Sequence, residues 1–139
     1  MKLTQLSILI LLFVACAAQA SEESNVQELV PLPHPIKVVM AHQEELGISG
    51  QQLARMKKEV VGFFPPVMLP LMIKAEEMEV SLSRKIMVEG RTKEELATEI
   101  DELAALKREL IDTHIDSLNT LKSILKPEQW TALLGILDD

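Results

Sequence analysis

Cysteine is almost missing from these 139 residues: Cys16 stands alone, and one thiol can build neither a disulfide framework nor a thiolate zinc site. Aromatic side chains are nearly as scarce at 3%, limited to Phe13, Phe63, Phe64 and Trp130, with no tyrosine. Nucleic-acid binding draws on clustered cations, whereas the net charge here is −7, so nucleic acid is not an expected partner. The five glycines form no GxGxxG or GxxxxGK[ST] loop, which leaves no cradle for a nucleotide phosphate. No serine lies in a GxSxG turn, and no HExxH, HxxH or HxxxH pair opens a metal site. The carboxylates Glu76, Glu77, Glu79, Glu94, Glu95, Asp101 and Glu102 read as solvated helix faces, without the burial that would raise a pKa for acid–base work. The chain is therefore not expected to be an enzyme: no catalytic residue and no resident cofactor can be read from it.

What is present is 47% hydrophobic residues in a length suited to one domain. Lys2, the apolar run Leu6 to Ala18 and the A-x-A site Ala18-Gln19-Ala20 make the three-part pattern of a secretory signal peptide over residues 1–20. Ser21 would then open an exported mature chain. The run is shorter than the roughly 20 residues that a spanning helix needs. Membrane attachment is expected only if this segment is retained or Cys16 is lipidated. Residues 21–35 are polar and then proline-rich, with Pro31, Pro33 and Pro35, and read as an extended, disordered arm.

Residues 36–139 read as one all-α domain. Ile36 to Leu46 has the spacing of a short amphipathic helix ended by Gly47. Ser49 with Gln52 forms a capping box, and Ile48 with Leu53 its hydrophobic staple. A second box opens near the C-terminus with Leu125 before the cap, Pro127 at the first helical position, Gln129 at the third and Trp130 at the fourth. Lys126 holds its cap position and cannot accept a backbone hydrogen bond, so this box is half formed. Between the boxes, a helix from about Gly50 meets Pro65, Pro66 and Pro70, which must kink or interrupt it, and continues to about Glu89 before Gly90. Thr92 with Glu95 opens the longest helix, running to about Leu125 with Leu96, Ile100, Leu103, Leu110, Leu118, Leu121 and Leu125 on one stripe. A long helical hairpin with short flanking helices buries little of such a stripe by itself, so a homodimer in which the stripes cover each other is expected.

With its export signal, its methionines and its paired helix-start boxes, Ile48-Ser49-Gly50-Gln51-Gln52 and Leu125-Lys126-Pro127-Glu128-Gln129-Trp130, the chain resembles the periplasmic LTxxQ family. Spy/CpxP-type chaperones are its best-known members, and ZraP-type zinc-stress proteins and heavy-metal sensors are relatives. Serine and lysine stand where the family pattern has threonine. The resemblance implies an antiparallel, cradle-shaped homodimer and a stress-response function: ATP-independent, chaperone-like binding of unfolded proteins, or docking on a periplasmic sensor domain.

Flexible, polarizable methionines suit a surface that repacks around many partners, and also fill irregular cores. On that ground Met68, Leu71, Met72, Met78 and Leu82 are the candidate client-binding residues. The alternative is a heavy-metal sensor or metal-binding resistance protein holding Zn, Cu or Ni through His42 and His114 across the dimer. His34 belongs to the arm and is expected in solvent, whereas His114 lies on the apolar side of the long helix.

Overall fold

A computed structural model describes residues 29–138. The signal segment 1–20 and most of the arm, residues 21–28, lie outside the described residues. Among the described residues every regular element is helical: α1 Pro35–Ala41, α2 Gly50–Arg55, a π-helical turn Met56–Val61, α3 Phe64–Met87, α4 Lys93–Ile124 and α5 Pro127–Asp138.

The local chemistry explains the boundaries. Pro35 supplies the fixed φ suited to the first helical position of α1. This helix is shorter than the spacing over 36–46 suggests, because Gln43 reaches back with its amide nitrogen to the Met40 carbonyl at 2.6 Å. The chain then turns through 42–47 on backbone bonds such as Ile48 to Gln43, and Gly47 closes the turn at φ 62°. Both full boxes form. The Ser49 hydroxyl accepts from the Gln52 N–H at 3.2 Å, and Thr92 accepts from the Glu95 N–H at 3.3 Å, while Gln52 and Glu95 return the bond to their caps. In the half box, the Lys126 N–H donates to the Gln129 side-chain oxygen at 2.9 Å.

The first long segment breaks earlier than its prolines. After α2 the backbone widens into the π turn, in which the Gly62 N–H donates to the Lys57 carbonyl at 2.9 Å, and the helix restarts at Phe64. Pro65 and Pro66 fall in the first turn of α3, where the missing N–H has no intrahelical partner to lose. Only Pro70 sits inside the helix and removes a rung.

α3 and α4 lie side by side in opposite senses. Lys85 pairs with Glu99 at 2.5 Å, and further along Glu79 pairs with Lys107. Ala75, Leu82, Leu96 and Leu106 are buried along this arm. The main core lies at the other end. Val39, Leu46, Met56, Val60, Phe64, Leu121, Ile124, Leu125 and Leu133 form one cluster, contributed by α1, the turn after it, the π turn, the first residue of α3, the close of α4 and α5. The molecule is thus a packed head with a two-helix arm projecting from it. The expected α4 stripe is sealed by this arrangement at Leu96, Leu121 and Leu125. Leu103, Leu110 and Leu118 are half-buried, and Ile100 stays exposed.

Candidate functional site

The two helix-start boxes meet in space. Gln129, 6% exposed, donates from its side-chain nitrogen to the carbonyls of Leu46 at 3.1 Å and Gly47 at 2.9 Å, just ahead of the first box. Gln52 does the reciprocal thing, donating to the Ile124 carbonyl at 3.0 Å, just ahead of the second. The two amides also bond each other, Gln52 to the Gln129 oxygen at 2.7 Å. Each glutamine therefore caps its own helix and clasps the segment that leads into the other. Ile48, Leu53 and Trp130 pack on the core beside this clasp, and Lys122 stands 5.6 Å over the Trp130 ring. The buried carbonyls ahead of both helices are satisfied by side chains distant in sequence. The clasp is architectural: it joins the start of α2 to the start of α5 on the head from which α3 and α4 leave.

A groove of about 520 Å³ opens on the same head, between α1, the π turn, the start of α3 and α4. Its lining is mostly apolar and includes Ile36, Met40, Val60, Phe64, Leu118 and Leu121. His114, 5% exposed, lines it together with His34, and the two imidazoles stack with centroids 4.6 Å apart and planes 12° from parallel. His34, expected in solvent, remains exposed by area yet carries the end of the arm against α4. His42 is elsewhere, on the turn after α1, with its Nδ1 2.8 Å from a Glu45 oxygen. His42 and His114 thus face different neighbours within the chain. In the His34–His114 stack the nitrogen lone pairs lie in near-parallel planes and do not aim at a common point. Among the described residues no three His, Cys, Asp or Glu side chains gather in a way that could hold a metal ion.

The arm presents a different surface. Of the expected client-binding residues, Leu82 is buried, 6% exposed, and Met68, Leu71, Met72 and Met78 are half-buried, Met68 against the head cluster. Packing on α4 takes this face of α3. The freely exposed apolar side chains are different ones: Leu69 at 57%, Ile73 at 49%, Val80 at 66% and Met87 at 79%. Their spacings of four, seven and seven put them on one row, opposite the face that meets α4. With 1.5 Å per residue the row extends over about 27 Å. Phe63, Val67, Ile86 and Val88 add exposed apolar surface around its ends and flank. Sequence reasoning missed the row by choosing binding residues for methionine character; the signal was a second set of apolar residues, Leu69, Ile73, Val80 and Met87, half a turn away.

Electrostatics at the helix starts is local. The Thr92 backbone N–H, and then the Arg91 guanidinium, hold the Glu95 carboxyl below the usual carboxylate range. Arg55, bonded to Glu59 at 2.9 and 3.0 Å, does the same for Glu59. No helix among the described residues is long and apolar enough to cross a membrane. No family model, curated protein or solved structure matches the chain.

Proposed function

We propose that this chain is an exported, non-enzymatic stress-response protein of the Spy/CpxP type, which binds unfolded proteins without ATP. The observation that carries the reading is the outward row Leu69, Ile73, Val80 and Met87, held on a thin two-helix arm. A helix with one apolar face buries it and is finished; α3 buries one and shows another. The turns between Ile73, Val80 and Met87 carry Glu76, Glu77, Ser83 and Arg84, so the row is an apolar surface interrupted by polar groups, suited to a partner that is itself part apolar and part charged. Separate aliphatic and thioether groups on a helix, without a deep pocket or a pattern of polar donors, favour weak and permissive contacts that still allow release. The half-buried Leu71, Met72 and Met78 add partly exposed apolar surface to the arm, and Met68 adds it beside the head. In the homodimeric hairpin cradle that the family resemblance implies, two such rows line one concave surface.

The working form is a dimer in the periplasm, reached through a cleaved signal peptide. Sedimentation of the mature protein at micromolar concentration should return twice the chain mass; a stable, folded single chain at that concentration would refute the cradle. The chaperone activity itself is tested by the aggregation of a reduced, unfolded client, which near-stoichiometric protein should suppress with neither ATP nor added metal.

A further inference from the structure

The groove on the head has a composition that the rest of the chain does not. The sequence carries 21 acids and a net charge of −7, yet among the described residues no Asp or Glu lines the groove. Among the described lining residues the polar side chains are those of Lys37, Ser117 and the two stacked histidines, and the others are apolar. Glu59, next in sequence to the lining residue Val60, is tied to Arg55. The volume, about 520 Å³, falls in the range that holds small molecules.

We propose that this groove is a binding site for a single-chain amphiphilic carboxylate, a fatty acid of medium chain length. The acyl chain lies over Val60, Phe64, Leu118 and Leu121, and the carboxylate stays at the water edge beside Lys37, whose stem covers apolar surface while its charge remains hydrated. A hydrocarbon fits this lining better than an extended peptide does. Peptide N–H and C=O groups would enter a wall that has few side chains to pair with them, and unpaired amides are costly to bury. A carboxylate headgroup matches the sign of the field at Lys37, where a cationic amphiphile would not. The site is separate from the α3 row, so its fate does not decide the client-binding reading.

The test is calorimetric titration of the purified protein with decanoate, dodecanoate, dodecanol and dodecyltrimethylammonium, each below its micellar concentration. Expected is saturable binding of one dodecanoate per chain, about tenfold tighter than decanoate, the ratio that two more buried methylenes confer. Dodecanol and the cationic amphiphile should bind more weakly. Val61→Asp, at a lining position already 43% exposed, and Lys37→Glu should each weaken dodecanoate at least several-fold while the helical circular dichroism is unchanged. Leu134→Asp, on α5 outside the groove, should not. No saturable dodecanoate binding, equal affinity for all four amphiphiles, or indifference to both groove variants in folded protein would overturn the proposal.

Discussion

Gln129 uses both ends of its amide: its oxygen accepts from the Lys126 N–H and from Gln52, and its nitrogen donates to the Leu46 and Gly47 carbonyls. A carboxylate there would keep the bond from Lys126 and turn the two donated ones into repulsion between oxygens, with the Gln52 amide left to reorganise. Gln129→Glu is therefore expected to lose about 2–4 kcal/mol of stability, read as a lowered urea midpoint at constant slope. Ser49→Ala, which removes one exposed cap bond, should cost only about 1 kcal/mol. At Glu95 the prediction concerns pH. Its folded pKa lies below the usual value, so its contribution is complete above the unfolded pKa and is lost as pH falls through the folded one. Glu95→Gln keeps an acceptor for the Thr92 N–H but cannot titrate. The stability advantage of the native chain over this variant, measured by thermal melts, should shrink between about pH 5 and pH 2. The capping boxes were legible residue by residue, because each is a contact three positions long. The clasp between Gln52 and Gln129 was not, since it joins residues 77 positions apart and no local rule pairs them.

Among the elements, the segment from Gly50 to Met87 shows where periodicity stops being informative. The prolines signalled a break correctly, but its position is set by the π turn and by Gly62, upstream of all of them. A Cβ at Gly62 would stand 3.1 Å from the carbonyl oxygens of both Lys57 and Lys58, backbone atoms that cannot swing aside. Gly62→Ala is accordingly expected to destabilise by about 1–3 kcal/mol, measured by chemical denaturation, although the φ of −80° at this residue suits any side chain. The π turn itself left no mark in the sequence, because its extra residue per turn is chosen by the burial of Met56 and Val60 in the head. In α3 the apolar residues satisfy two faces. Which face meets α4 is decided by partners on the other helix, Leu96 and Leu106 together with Glu99 and Lys107, and a choice made on methionine character fell on the inner row. α4 was legible almost to its ends, since its cap, its stripe and the Pro127 that follows agree.

At the scale of the whole molecule, stability and binding are divided between head and arm. The head holds the continuous core and the glutamine clasp; the arm has four well-buried apolar side chains and an uncovered row. That division makes the proposed function separable from folding. Ile73 and Val80 are exposed, so aspartate at both positions should change unfolding stability by no more than about 0.5 kcal/mol each. The same pair removes apolar area from the centre of the row and should weaken client holding about tenfold. All-helical character and the order of the elements could be read from the sequence. The projection of an arm from a head could not, because it depends on long-range contacts between the first and last thirds of the domain.

The most direct measurement is suppression of aggregation of a reduced, unfolded client by the native protein and by the Ile73→Asp/Val80→Asp variant, without ATP or metal, at matched concentration and with both melting temperatures recorded. Full suppression by the native protein, with most of it lost in an equally stable variant, is the predicted result. Equal suppression by the two, or none by the native protein, would contradict the assignment of the α3 row as a client-binding surface.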